Sequence, residues 1–117
     1  MGYYMLKSRD TIRPIAISII RRGNSILVYE REDDYTGESF FRLIGGCIEF
    51  GETAEAALKR EFMEELSLEI NEVNHLSTFE SFFSFNKLDM HEIVFLFESK
   101  FNDMGVYKRN SLDGLEG

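Results

Sequence analysis

Three glutamates in the middle of the chain, Glu61, Glu64 and Glu65, are spaced three and four residues apart in a segment rich in Ala, Leu, Lys and Arg. A helix turns by about 100° per residue, so this spacing places the three carboxylates on one arc. Apolar residues, including Leu58 and Phe62, form the neighbouring arc. Carboxylates crowded beside apolar surface repel one another and resist desolvation, so they take up protons or hold a cation. The pattern therefore predicts a cation site on a helix.

Magnesium is the ion that this oxygen-rich group suits best, with manganese as the alternative. Mg²⁺ prefers oxygen ligands in near-octahedral geometry and commonly bridges protein carboxylates and substrate phosphates. Such an ion neutralises phosphate charge and can lower the pKa of a bound water that attacks phosphorus. The group is therefore suited to hydrolysis of a phosphoanhydride. The competing interpretation is a solvated, glutamate-rich helix face, which is what most charge runs are.

Other residues at fixed offsets argue against a simple solvated face. Gly46 is followed by five residues and then Glu52, and seven further residues lead to Arg60 and the three glutamates. This order closely resembles the signature of the Nudix hydrolases, with one departure. The final glycine of that signature is Ser67 here, which reaches a left-handed helix end at a cost on the order of 1 kcal/mol.

The resemblance implies a role for each motif residue. Glu64 and Glu65 are the strongest candidates for metal ligands, and Glu61 is expected to be a ligand or the base. Arg60 is expected to brace the glutamates through ion pairs rather than touch the substrate. Together these four residues form the expected catalytic group.

Two further residues have expected supporting roles. The resemblance implies that Glu52 supports the loop or an outer metal shell, and that the main-chain carbonyl of Gly45 is a further metal ligand. Many family members have proline where this chain has Ile44, which affects the expected shape of the loop and removes no ligand.

The elements that must position these residues can be predicted from local patterns. Thr53 is a suitable N-cap, and the absence of Gly and Pro after it predicts a helix near residues 53–67. β-Branched and aromatic runs predict strands at residues 11–20, 25–30, 40–44, 76–85 and 91–101. The first two strands are expected to form a hairpin, with Pro14 at a sheet edge or a strand start. The last two are expected to form an antiparallel pair.

The order of these elements predicts an α+β domain built on a mixed sheet. It agrees with the α/β/α sandwich that the resemblance implies, in a single domain spanning residues 1–117. Family members usually continue with another strand and a covering helix, whereas the segment after residue 101 has few apolar residues. We therefore expect these C-terminal elements to be missing, and either a homodimer or an incomplete domain.

Composition limits the location and the partners. The chain has 117 residues, 44% of them hydrophobic, and a net charge of −8. No run of about 18 apolar residues and no signal peptide can be recognised, which indicates a soluble cytoplasmic protein without membrane contact. The acidic balance argues against nucleic-acid binding, so a small-molecule nucleotide is the expected partner. The single cysteine, Cys47, excludes an internal disulfide and is expected to have no chemical role.

Residues outside the motif must select the substrate. Arg42, Arg31 and Lys59 are candidate cations, and Tyr35, Phe40 and Phe83 are candidates for stacking on a base; of these we favour Arg42 and Tyr35. Cations at such positions are more often ordinary surface or strand charges, and Phe residues at strand spacing are usually core. An additional acidic base could come from three downstream glutamates, which are Glu92, Glu98 and Glu116.

Two functions compete with hydrolysis. The first is a catalytically silent nucleotide-binding or sensor domain that has kept the fold. The second is a structural acidic domain that dimerises through its Phe-rich strands. Under the leading hypothesis, candidate substrates are nucleoside triphosphates, ADP-ribose, dinucleoside polyphosphates and nucleotide sugars.

Overall fold

The computed structural model describes residues 11–109, which form seven strands, one α-helix and one 3₁₀-helix. In chain order these are β1 (Ile12–Arg22), β2 (Ser25–Ile26), β3 (Tyr29–Glu32), β4 (Ser39–Arg42), β5 (Ile44–Cys47), α1 (Ala54–Leu66), β6 (Ile70–Phe85), β7 (Leu88–Phe101) and a 3₁₀-helix (Met104–Lys108). The predicted α+β arrangement is confirmed, and α1 is the single α-helix among the described residues.

The main sheet is mixed, as predicted. Its order is β2-β1-β7-β6, and β5 pairs with the edge of β1 that also receives β2. β1 runs parallel to β7, whereas the other pairs are antiparallel. β1 is therefore central, so of the two positions expected for Pro14, a sheet edge or a strand start, the structure agrees with the strand start. Pro14 is close to the strand start, and its carbonyl accepts a hydrogen bond from the Ile48 N–H at 3.0 Å.

The core lies between α1 and one face of the sheet. Ala57, Leu58 and Phe62 of α1 are fully buried. Phe62 packs edge-on against Phe101 of β7, with ring centroids 6.0 Å apart. The apolar arc predicted for the helix thus holds α1 against the sheet.

The second predicted strand, residues 25–30, is divided between two sheets. Ser25 and Ile26 continue the hairpin with β1, as expected, but the chain then leaves the main sheet. Residues 29–32 pair with β4 in a separate two-stranded sheet. Asp33, which follows β3, accepts a hydrogen bond from the Asn86 N–H at 3.0 Å, so this small sheet is tied to the β6–β7 turn.

The β6–β7 pair is antiparallel, as predicted, although β6 begins at Ile70 rather than at residue 76. The first part of β6, which the pattern did not predict, is irregular, since its pairing register with β7 shifts twice between Asn71 and Ser77. At the other end, Asn86 and Lys87 both have positive φ and turn the chain tightly.

The segment after β7 contributes to the core, contrary to what its composition indicated. Val106 is 4% exposed and belongs to the core cluster. The Tyr107 hydroxyl accepts a hydrogen bond from the Phe101 N–H at 2.8 Å. Glu116 and residues 1–10, for which the absence of a signal peptide is predicted, lie outside the described residues. The homodimer stays a prediction, and no helix in the described part of the chain is long and apolar enough to cross a membrane.

Candidate active site

Helix α1 has the ends that the sequence predicts. The Thr53 hydroxyl accepts a hydrogen bond from the Ala56 N–H at 3.1 Å, which satisfies one of the free donors of the first turn. Ser67 is in the left-handed conformation (φ 55°, ψ 35°), and its N–H donates to the Met63 carbonyl. Ser67 therefore ends the helix in the conformation that the final glycine of the signature would favour.

Arg60 lies at the centre of a group of carboxylates. Its Nε and Nη2 donate to both carboxylate oxygens of Glu52, at 3.1 and 2.6 Å. Its Nη1 donates to Glu61 at 3.1 Å and to both oxygens of Glu64 at 3.1 and 3.2 Å. Glu49 forms a longer ion pair at 3.8 Å. One guanidinium thus contacts carboxylates from the loop and from the helix, and the bracing role of Arg60 stays a prediction.

Cys47 connects this group to β5. Its carbonyl accepts a hydrogen bond from Nη2 of Arg60 at 2.9 Å, while its Sγ accepts one from Nη2 of Arg13 at 3.3 Å. The two arginines therefore meet at one residue, one through its main chain and the other through its side chain. No local pattern predicts this contact, because Arg13 is remote from the motif in the chain.

Two glycines allow the close approach of β5 to its neighbours. A Cβ atom on Gly46 would lie 2.6 and 2.7 Å from the carboxylate oxygens of Glu61. A Cβ atom on Gly45 would overlap the Ala16 carbonyl and lie 2.7 Å from the Cα of Ile17 in β1. The first glycine therefore makes room for a motif carboxylate, and the second makes room for the central strand.

The ion pairs change the protonation behaviour of the group. The pKa of Glu52 is lowered from its ordinary value of 4.5, chiefly by hydrogen bonds from Arg60 and also by the Glu49 N–H, which donates at 2.8 Å. The pKa of Arg60 is raised, chiefly by its hydrogen bonds to Glu52. Both charges are therefore favoured in the folded protein.

The lowered pKa of Glu52 predicts a dependence of stability on pH. Because the unfolded chain holds this proton to higher pH, the stabilisation is fully present above pH 4.5 and is lost as the pH falls through the lower folded pKa. In urea unfolding between about pH 3 and pH 7, we expect the free energy of unfolding to decrease less on acidification in Glu52→Gln than in the parent. An equal decrease of the free energy of unfolding in both proteins would contradict the prediction.

The carboxylate oxygens of this group are ligands that a hard divalent cation prefers, but their arrangement is not that of a complete metal site. Glu61 and Glu64 both contact Nη1 of Arg60, so their carboxylates converge. Within residues 11–109, no group of three or more His, Cys, Asp or Glu side chains has metal-binding geometry. The helix thus brings together two of the three predicted ligands, in contact with an arginine. The ligand roles of Glu65 and of the Gly45 carbonyl stay predictions.

The other predicted candidates are dispersed. The Lys87 ammonium group lies over the Tyr35 ring, 4.3 Å from the ring centroid, so Tyr35 contacts the β6–β7 turn. Lys59 pairs with Glu55 at 3.1 Å on the exposed side of α1. Glu98 pairs with Arg21 at 2.8 Å, towards the C-terminal end of β1. These contacts are those of ordinary surface residues.

Arg42 and Glu92 form a cluster that sequence analysis missed. Glu92, considered above as a base, is 1% exposed and forms ion pairs with Arg42 at 3.3 Å and with Arg13 at 3.9 Å. A buried, paired carboxylate is poorly placed to take a proton from substrate water. The parallel pairing that sets Arg13 opposite Glu92 is a long-range contact without a local sequence signal.

Comparisons with known proteins agree with this architecture. A family model described as NUDIX domain matches residues 11–111. The NAD-capped RNA hydrolase NudC of Erwinia tasmaniensis is 33% identical over 67 residues, which is 57% of this chain and 25% of that protein. The chain therefore spans about a quarter of the length of this curated relative.

Two solved structures share the fold. A NUDIX hydrolase from Nitrosomonas europaea aligns with a TM-score of 0.64 and 15% identity, over 90% of this chain and 69% of that one. The MutT NUDIX hydrolase from Burkholderia pseudomallei aligns with a TM-score of 0.57 and 22% identity, over 80% and 70%. The fold and the motif helix thus define a Nudix domain. The chain belongs to the Nudix family.

Proposed function

We propose that this domain hydrolyses a phosphoanhydride bond in a nucleoside diphosphate linked to another group, with Mg²⁺ as cofactor and Mn²⁺ as an alternative. The observation that carries the proposal is the group of carboxylates around Arg60. Glu52, Glu61 and Glu64 accept hydrogen bonds from a single guanidinium beside the β5 backbone. This concentrates carboxylate oxygens around one guanidinium, between α1 and the loop that precedes it.

The residues have distinct proposed roles. Glu64 and Glu65 supply ligand oxygens, with Glu61 as a third ligand or the base that accepts the proton of the attacking water. Arg60 and Glu52 fix the positions of the loop and the helix. When bound, Mg²⁺ would neutralise phosphate charge and activate water. The half-exposed Glu64, with 49% side-chain exposure, can change rotamer to serve as a ligand.

Gly45 and Gly46 support this proposal from the side of the main chain. Gly46 has no side chain, so its backbone lies bare beside the Glu61 carboxylate, and Gly45 precedes it in β5. A bare backbone next to carboxylates lets a phosphate or a metal approach main-chain atoms closely. This is consistent with a ligand role for the Gly45 carbonyl.

The identity of the substrate is a finer proposal. A relative named as an NAD-capped RNA hydrolase makes a dinucleotide with a central pyrophosphate a reasonable candidate, alongside nucleoside triphosphates, ADP-ribose and nucleotide sugars. The net charge of −8 disfavours extended contact with an RNA chain and does not disfavour binding of a capping dinucleotide. Both NAD and NAD-capped RNA therefore belong in the test.

The proposal predicts Mg²⁺-dependent release of phosphate-containing products from at least one member of this panel. We expect activity with Mg²⁺ or Mn²⁺ and none after chelation with EDTA, because water activation and charge neutralisation depend on the ion. Mass spectrometry of the products identifies the bond that is cleaved. Equal turnover with and without metal would contradict the proposal. Metal-dependent nucleotide binding without turnover would instead identify a silent binding domain of the same fold.

A further inference from the structure

The burial of the Glu92 carboxylate has a desolvation cost, and a purely structural role does not explain why the protein bears that cost. The side chain of Glu92 is 2% exposed, so its carboxylate has lost nearly all of its water. Removing a charged group from water is expensive, and a buried ion pair can often be replaced by apolar residues without loss of stability. A buried carboxylate with two arginines is therefore a candidate for a functional arrangement.

The cluster also carries excess positive charge. Glu92 pairs through Oε1 with Nη2 of Arg42 at 3.3 Å and through Oε2 with Nη2 of Arg13 at 3.9 Å. Two guanidinium groups on one carboxylate leave a net charge of about +1. The side chains of Arg42 and Arg13 are 25% and 37% exposed, so part of each guanidinium is accessible from solvent.

This charge is close to the candidate active site. Arg13 donates to the Sγ of Cys47, whose carbonyl is held by Arg60. Arg60 itself is shared among four glutamates and is not available to an anionic ligand. In a protein with a net charge of −8, the arginine pair beside β5 is a local source of attraction for phosphate.

An open cavity lies at the same end of the β1–β7 pair as the cluster, and Phe83 connects the two. The cavity has a volume of about 510 Å³ and is lined by Phe83, Ile12 and His91 among others, whereas the three cluster residues do not line it. The Arg42 guanidinium lies over the Phe83 ring at 5.6 Å. Aromatic lining of this kind can stack on a base, and the buried Nε2 of His91 makes no hydrogen bond within residues 11–109.

We propose that Arg13 and Arg42 contact a phosphate of the nucleotide substrate, and that Glu92 is the positioning residue that holds the two guanidinium groups in place. The inference rests on the proposed function, since it assigns a substrate contact to that reaction. It extends the sequence-based candidate Arg42 to a pair of arginines and gives Glu92 a role other than that of a base.

The test uses the whole chain and α,β-methylene-ADP, a nucleoside diphosphate whose bridging oxygen is replaced by carbon. Calorimetry in the presence of Mg²⁺ gives its Kd for the parent, Arg13→Gln, Arg42→Gln and Glu92→Gln. The matched control is Arg21→Gln, which removes the same charge from the same sheet face. Arg21 pairs with Glu98 and lies eight residues further along β1, roughly 26 Å away.

We expect each arginine variant to weaken binding by about tenfold and to raise KM similarly, with a smaller change in kcat. Glu92→Gln is expected to weaken binding in the same direction, and Arg42→Lys to recover part of the loss. The control is expected to match the parent. Thermal unfolding of each variant separates this effect from loss of the fold.

Two results would overturn the inference. The first is an unchanged Kd in both arginine variants that remain folded. The second is an equal loss in the Arg21→Gln control, which would indicate only a general effect of charge. Neither result bears on the proposed function, which is tested separately by the metal dependence of turnover.

Discussion

Replacing Glu64 with glutamine is expected to lower kcat by about a thousandfold while leaving the fold intact. The substitution keeps the size of the side chain and removes the negative charge that a cation requires. Glu64 is 49% exposed, and its ion pair with Arg60 is expected to contribute no more than about 1 kcal/mol to stability. Activity should therefore fall far more than stability. Steady-state kinetics on the preferred substrate of the panel, together with thermal unfolding, measures both.

The chain offers a closely matched control for this experiment. Glu55 is on the same helix, is 50% exposed and also pairs with a basic residue four positions away, Lys59. Glu55→Gln removes the same charge from α1 without touching the carboxylate group around Arg60. We expect this variant to retain the kcat of the parent. Similar losses in the two variants, or no loss in Glu64→Gln, would refute the ligand role of Glu64.

The largest expected effect on stability is that of Gly45→Ala. The new Cβ would overlap the Ala16 carbonyl and lie 2.7 Å from the Cα of Ile17, and both contacts are with the backbone of the central strand. Gly45 also has φ of 152°, which L-residues rarely adopt. Because neither neighbour can move without disturbing β1, we expect the free energy of unfolding, measured with urea, to fall by about 3 kcal/mol or more.

Gly46→Ala tests a close contact with a side chain, in contrast to the contacts with backbone atoms at Gly45. Its Cβ would meet the carboxylate of Glu61, at 2.6 Å from Oε1, and this group is the mobile end of a side chain. We expect a smaller loss of stability than in Gly45→Ala, since Glu61 can move aside, and a clear loss of kcat, since its carboxylate is then misplaced. Full activity in a folded Gly46→Ala protein would show that the position of Glu61 is unimportant.

Local signals were sufficient to predict the motif helix and the convergence of two of its carboxylates. The limits of α1, its Thr53 cap and its buried arc all depend on residues within a few positions of one another. The same is true of the convergence of Glu61 and Glu64 on Arg60, which follows from helical periodicity. The motif is informative because its chemistry is concentrated in one loop and one helix.

Long-range pairing was beyond the reach of the same reasoning. A strand pattern at residues 11–20 does not reveal whether the strand is central, and Pro14 is compatible with either an edge or a strand start. The pattern at residues 25–30 does not reveal that the chain changes sheets after Ile26. The Glu92 cluster depends on both β1 and β7 and on Arg42 at the end of β4. Its members are assembled by tertiary structure.

The parallel pairing of β1 and β7 has a consequence for the order of folding. Ile12 pairs with His91, 79 positions later in the chain, whereas β6 and β7 are joined by a two-residue turn. Closing the longer loop costs more entropy, so we expect the β6–β7 hairpin to form early and the parallel pairing to form late. Phe62 of α1 packs on Phe101 of β7, so the helix docks fully only with that strand in place. A nascent chain that ends before β7 would contain the whole motif and still lack Phe101, which is part of the surface that holds its helix.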